Sequence, residues 1–289
     1  MRHKPYTVKI ELTRGCNRRC PFCALPYMPW ANEEYRFMEV STFTKAITDA
    51  GKWIGKFRLE LAERGEPSLH PNLVALLMIA RKFAPRCQIM ITTNAVGLKN
   101  GEEQYRQFIS SLFDAGLNIA YIDGYDDATY DKLQRIFPFA EKMYEDGVHP
   151  YQYHSPTFKQ IILVGGHHGE KNIIRQFHNM AGTLPVDKVR KLGYEIMELP
   201  DGKPLEKMCV RPFRETVIHY DGTVTICCND WYEVSSLGNV KDSTLEELFG
   251  RADFARAMLI AHNRAALRPC NTCSERSGFR VGLETGWFK

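Results

Sequence analysis

No stretch of this sequence is apolar for the roughly 18 residues that a membrane-spanning helix needs. The opening residues MRHKPYTVKIEL lack the apolar core of a secretion signal. Internal repeats, low-complexity tracts and long runs of like charge are also missing, which sets aside solenoids and disordered tails. Neither sign of charge dominates: 38 Lys and Arg stand against 34 Asp and Glu, a net charge of +4. That balance permits an anionic substrate without arguing for nucleic acid. Cysteine is nearly absent from the middle of the chain, where only Cys87 lies between Cys23 and Cys209.

The cysteines that are present carry the information. There are nine in 289 residues, an odd number in two clusters, within a chain long enough to bury a core without disulfides. With no export signal, the reducing cytoplasm is the expected location, and clustered cysteines there bind metal or do redox chemistry. Cys87 opens an apolar strand-like run and reads as a packing residue.

Strand-like runs fall at 6–13, 57–62, 88–94, 118–124, 159–164 and 194–199. Helical spacing marks 41–55, 71–83, 101–115 and 128–144 between them. Strands separated by helices imply parallel βαβ units, closed into a barrel or left as an open doubly wound sheet. After about residue 200 the texture changes. A hairpin with an Asp221-Gly222 turn is expected over 215–229, and a capped helix over 242–250.

Cys16, Cys20 and Cys23 are spaced C-x3-C-x2-C directly after the first strand. In a parallel barrel such a loop lies on the face where active sites form. Three thiolates can hold three irons of a [4Fe–4S] cluster and leave the fourth open. The alternative is zinc completed by another residue such as His3, since a closed zinc site takes four ligands.

These cysteines, with Phe22 before the last, resemble the signature of the radical S-adenosylmethionine (SAM) superfamily. Other strand ends agree with the resemblance. Gly65-Glu66-Pro67 is similar to the family's Gly-Gly-Glu-Pro, with Arg64 in place of the first Gly. Thr92-Thr93-Asn94-Ala95 is similar to Thr-Thr-Asn-Gly, and Tyr121-Ile122-Asp123-Gly124 to Ser-x-Asp-Gly. The resemblance spans about residues 6–165. It implies a partial (β/α)6 barrel of parallel strands over 1–200. It also implies a [4Fe–4S] cluster on Cys16, Cys20 and Cys23, and SAM contacts from Phe22, Gly65, Glu66, Pro67, Thr93, Asn94 and Asp123.

The second cluster reads C-x17-C-C at Cys209, Cys227 and Cys228, followed by C-x2-C at Cys270 and Cys273. Spacing alone fits zinc or a fully ligated [4Fe–4S] cluster. The flanking segments resemble the SPASM/twitch extension of radical SAM enzymes, in the shortened form with one auxiliary cluster. That arrangement is similar to the one in 2-deoxy-scyllo-inosamine dehydrogenases. The resemblance implies a small hairpin-plus-helix unit over 201–289 with Cys209, Cys227, Cys270 and Cys273 as ligands. Cys228 is then a spare thiol, although the choice between Cys227 and Cys228 stays open at this point.

The implied chemistry is reductive cleavage of SAM to a 5′-deoxyadenosyl radical and hydrogen abstraction from a carbon. The auxiliary cluster then takes an electron from the substrate radical, a net oxidation. Glu63, Asp123, Asp230 and His168 are candidate proton acceptors. Arg64, Arg211 and Tyr125 are candidate substrate contacts. Few residues precede the first strand, so no leader-binding domain is expected and a small polar substrate is favoured: a sugar, aminocyclitol or nucleoside. The expected electron donor is of the flavodoxin or ferredoxin type, and no membrane partner is expected. Basic clusters at Arg14/Arg18/Arg19, Arg81/Lys82 and His167/His168/Lys171 keep a modified nucleotide or nucleic-acid base in view. A redox-neutral isomerase, epimerase or decarboxylase is the alternative within the class. A non-catalytic, metal-stabilised nucleic-acid-binding protein is the alternative outside it.

Overall fold

The computed structural model describes residues 3–142, 157–165 and 177–276. Its main sheet has nine strands: β1 (Thr7–Ile10), β2 (Arg58–Glu60), β3 (Gln88–Thr93), β4 (Ile119–Asp123), β5 (Glu141–Lys142), β6 (Gln160–Val164), β7 (Glu215–Ile218), β8 (Thr223–Thr225) and β9 (Ser236–Asn239). The spatial order is β9-β8-β7-β1-β2-β3-β4-β6-β5. All pairs from β7 to β5 are parallel, while β8 and β9 add on antiparallel. Helices α1 (Val40–Trp53), α2 (Leu73–Phe83), α3 (Glu102–Asp114) and α4 (Asp127–Ile136) alternate with the first strands.

The pleat explains how the layers assemble. Val8, Ile10, Leu59, Leu61, Ile89, Ile91, Ala120 and Ile122 occupy alternate positions and share one core with Phe43, Ile47, Leu76, Leu77, Ile109, Leu112 and Leu133 of the helices. Among the intervening residues, Lys9 of β1, Arg58 and Glu60 of β2 and Glu215 of β7 are charged and meet on the opposite, concave side. There Lys9 Nζ lies 3.2 Å from Glu60 and 3.4 Å from Glu215.

Two expectations differ from the structure. The strand expected over 194–199 is reduced to Ile196–Met197, which pairs with Phe177–His178 in a separate two-stranded sheet. The barrel's other flank is instead β7, from the hairpin region, in register with β1 from Thr7↔Glu215 to Ile10↔Ile218. Hydrophobic periodicity cannot choose between two apolar runs competing for one sheet edge. The helix expected over 128–144 stops at Ile136, because Phe137 precedes Pro138 and is driven to φ −124°, ψ 68°.

The hairpin β7–β8 forms around the Asp221-Gly222 turn as expected. The expected capped helix is α5 (Leu245–Gly250), opened by a reciprocal Thr244/Glu247 capping box. It is followed by α6 (Asp253–Ile260). Ile218, Val224, Val240, Leu245 and Leu248 join the barrel core, so this end of the chain is packed into the same body. Among the described residues no helix is long and apolar enough to cross a membrane.

Candidate active site and cysteine centres

The first cysteine loop is held by the strand-end turns beside it. Gly65 presses against its backbone so closely that a Cβ there would lie 1.8 Å from Thr13 O and 2.6 Å from Gly15 O. The Glu66 amide donates to Gly15 O at 3.0 Å. The buried Glu66 carboxylate then gathers the next strand end. Oε1 accepts from Thr93 Oγ1 (2.6 Å), Ser68 Oγ (2.6 Å) and Ser68 N (3.0 Å), and Oε2 accepts from Asn94 N (2.8 Å). The Asn94 amide closes the circuit by donating to Cys16 Sγ at 3.3 Å and Asn17 Oδ1 at 3.0 Å. Pro67 begins the short turn that Glu66 caps. Ala95, where the family has glycine, is in the left-handed region at φ 58°.

Cys16, Cys20 and Cys23 are half-buried at this spot. Burial above all, with the neighbouring thiols adding to it, pushes Cys20 up to about 11 and Cys23 up to about 12. Thiols set this way become ligands when a metal centre supplies the compensating positive charge. Phe22 stands in an aromatic cage, stacked on Phe177 at 4.6 Å and flanked by Tyr194 at 5.1 Å and Tyr125 at 6.2 Å. Asp123 is buried at the end of β4, close enough to raise the Tyr125 phenol after burial has done so.

Arg64 does more than replace a glycine. Its buried guanidinium reaches Glu11 (3.0 Å), Glu63 (3.0 Å), Glu233 (2.7 Å), His219 Nδ1 (2.6 Å) and Trp231 O (3.0 Å). Glu63 has no exposed side-chain surface, and its Oε1 has no hydrogen-bond partner among the described residues. Burial pushes its carboxyl well above the ordinary carboxylate range; Arg64 opposes this and Glu11 reinforces it. For Glu11, burial is outweighed by Arg64 and His219, and the carboxyl is held low.

In the second centre Cys209, Cys227, Cys270 and Cys273 are buried. Cys209, Cys227 and Cys270 pack with Ala252, Ala255 and Leu259. Burial, then Cys273 and Cys209, pushes Cys270 up to about 12. Asn229 donates its amide N–H to Cys227 Sγ (3.4 Å) and its side chain toward Cys273 Sγ (3.9 Å). Cys228 Sγ lies within 4.8 Å of both Cys227 Sγ and a Glu215 carboxylate oxygen. Its sulfur meets Arg211 at 3.1 Å and Lys9 at 3.8 Å, on the concave face of the barrel. Buried Arg264 staples the cysteine-bearing segments together by donating to Lys207 O, Met208 O and Glu275 O. Asn179, two residues beyond Phe177, donates to Thr272 O and accepts from Ser274 N.

The other expected site residues are placed as follows. Asp230 is buried, with its oxygens accepting from Val234 N, Ser235 N and Ser235 Oγ, so it shapes its own loop. His167, His168 and Lys171 lie outside the described residues. Arg19 donates to Cys16 O and Ala31 O, and Arg81 to Pro85 O, Cys87 O and Gly116 O. Those basic side chains are engaged by the fold. The charged barrel lining of Lys9, Glu11, Glu60, Glu215 and His219 is not among the residues that the sequence motifs single out. Its signal was the charge at alternate positions of an otherwise apolar strand, Lys9 and Glu11.

Both cysteine centres fit iron–sulfur clusters: three half-buried thiols on one loop, with Asn94 donating to Cys16 Sγ, and four buried thiols elsewhere. Comparison with known proteins agrees. The Radical SAM superfamily profile matches residues 10–140, and that of the SPASM iron–sulfur cluster-binding domain matches 209–274. The chain resembles the GTP 3′,8-cyclase of Chlorobaculum tepidum, 32% identical over 111 residues, covering 38% of this chain and 30% of that one. It also resembles the GTP 3′,8-cyclase of Sulfurimonas denitrificans, 33% identical over 114 residues, covering 38% and 32%. The matches thus span about a third of these relatives' length. In fold, the chain is similar to BtrN in complex with AdoMet and 2-DOIA. The TM-score is 0.67 at 17% identity, over 99% of this chain and 97% of that one. An open conformation of BtrN gives 0.61 at 16% identity, over 95% and 94%. The two domains imply a [4Fe–4S] cluster with SAM and an auxiliary iron–sulfur cluster. The chain carries a Radical SAM superfamily domain over residues 10–140 and a SPASM iron–sulfur cluster-binding domain over residues 209–274.

Proposed function

We propose that this radical SAM enzyme is an oxidoreductase that oxidises a small polar substrate inside its barrel, a sugar, aminocyclitol or nucleoside. The observation that carries the reading is where the second cysteine group stands. Cys227 is on the hairpin whose first strand, β7, is paired with β1, and its neighbour Cys228 places its sulfur on the barrel's concave face. An electron leaving a substrate in the barrel therefore has a short route to the auxiliary centre.

When bound, SAM and its cluster supply the 5′-deoxyadenosyl radical, and the auxiliary cluster supplies an electron acceptor. The chain's own residues do the rest. Cys16, Cys20 and Cys23 hold the first cluster, and Cys209, Cys227, Cys270 and Cys273 the second. Phe22, Gly65, Glu66, Pro67, Thr93, Asn94 and Asp123 form the wall against which SAM is set. Glu63 takes the proton: in its ionised form a buried carboxylate with an unpartnered oxygen is a stronger base than an exposed one. The interior charges suit a substrate without phosphates. Lys9 is ion-paired with Glu60 and Glu215, Arg64 with Glu11, Glu63 and Glu233, and Arg211 with Glu215 and Glu275. A second reading, redox-neutral chemistry on a nucleotide, draws on the relatives named GTP 3′,8-cyclase.

The test uses anaerobically reconstituted protein, SAM and a strong reductant, offered either GTP or the low-mass fraction of a cell extract. The expected result is 5′-deoxyadenosine with the low-mass fraction and a product lighter by two hydrogens. Glu63→Gln should keep 5′-deoxyadenosine formation and lower the oxidised product about 100-fold. A product of unchanged mass, or stimulation by GTP alone, would overturn the oxidoreductase reading in favour of the second.

A further inference from the structure

Arg64 joins two parts of the molecule that the sequence separates by more than 160 residues. On its own strand end it is followed by Gly65 and Glu66, which fix the Cys16 loop through Thr13 O and Gly15 O and hold Asn94 against Cys16 Sγ. Its guanidinium leaves that strand end and donates to Trp231 O and Glu233. Both acceptors belong to the loop that starts at Cys227, and that loop is tied together by its own hydrogen bonds. Asp230 N donates to Cys227 O, the Asp230 carboxylate ties down Val234 and Ser235, and Ile226 N donates to Ser235 Oγ. Trp231 in turn packs in the cluster that contains Phe22, Leu25 and Met28, and stacks near Trp30. A shift of the Cys227 loop therefore pulls on the turn that positions the first cysteine loop, and the reverse.

We infer that Arg64 is a positioning residue that couples the auxiliary centre to the SAM site, so that loading the auxiliary cysteines tightens SAM binding. Only a planar fork can reach these five groups at once; an ammonium in the same place meets a subset of them. Glycine, the residue of the family motif, would leave Glu11, Glu63 and His219 buried around an empty space and sever the link. Coupling of this kind is reciprocal and amounts to a ratio of affinities. The inference goes beyond the proposed oxidation and involves neither the substrate nor the outcome of its reaction.

The experiment is a double-mutant cycle read as the SAM dissociation constant, by calorimetry on anaerobically reconstituted full-length protein without substrate or reductant. The auxiliary centre is removed by Cys270→Ala with Cys273→Ala, in chains carrying Arg64, R64K or R64G. With Arg64, losing the auxiliary cysteines should weaken SAM binding about tenfold. With R64K or R64G the same loss should change it less than about twofold. Iron content and cluster absorption establish that the first centre is loaded. Should R64G and R64K fail to load it, Glu233→Gln, which removes one arm at a partly exposed position, should reduce the coupling in part. Equal weakening in every background, or none in the Arg64 chain, would overturn the inference. Failure of the oxidation in the substrate assay would leave it standing, because the two readouts are separate.

Discussion

Gly65 shows how much one hydrogen atom in place of a methyl group can decide. The atoms that a Cβ would strike are backbone carbonyls of the Cys16 loop, which cannot swing aside as a side chain can. Gly65→Ala is therefore expected to displace the loop, abolish SAM binding and halve the iron bound per chain, while the auxiliary centre stays loaded. Iron analysis with SAM calorimetry checks this; a variant that keeps all its iron and binds SAM normally contradicts the close approach. Ala95 illustrates the opposite case. It holds a left-handed backbone that glycine would adopt without strain, at a cost of about 1–2 kcal/mol. The expectation that Asp230 could act on substrate meets a physical obstacle at this scale as well, since its oxygens are committed to backbone and hydroxyl donors.

At the scale of elements, the second cysteine centre is assembled from pieces too short to hold themselves. The turn Arg264–Ala266 supplies Arg264, whose three donations join the segment before Cys209 to the one after Cys273. Removing that guanidinium takes its donor from the buried Glu275 carbonyl, at a cost of about 1–3 kcal/mol. Arg264→Ala is expected to lower the melting temperature and to lose auxiliary iron, with SAM-site iron retained. Thermal melts followed by circular dichroism, alongside iron counts, would show it. Unchanged auxiliary iron would mean that the cysteine segments are held by Asn179 and by packing alone.

Across the whole molecule, the two cysteine-bearing regions share one sheet. Because β7 pairs with β1 along its full length, deleting everything from residue 209 onward would strip β1 of a neighbour and bare Ile218's partners in the core. A chain ending at residue 208 is expected to be aggregation-prone and rapidly degraded in limited proteolysis, rather than to persist as a free barrel. A protease-resistant, monomeric fragment of that length would show that the barrel closes without its C-terminal strand.

By itself the sequence determined the local chemistry: three cysteines on one loop, a glycine where backbones meet, the Asp-Gly turn, the Thr244 capping box and the alternation of strands with helices. Each is a short-range property, set by spacing, pleat and backbone freedom, so it can be read without knowing what lies opposite. Only the tertiary structure decided which apolar run flanks β1, that the Cys228 sulfur meets Arg211 and Lys9 of the barrel lining, and that Arg64 reaches the loop after Cys227. Those outcomes depend on contacts between residues far apart in the chain. There, several arrangements satisfy the same local pattern, and burial of charge selects one: Lys9, Arg64 and Arg211 must find carboxylates once they leave water.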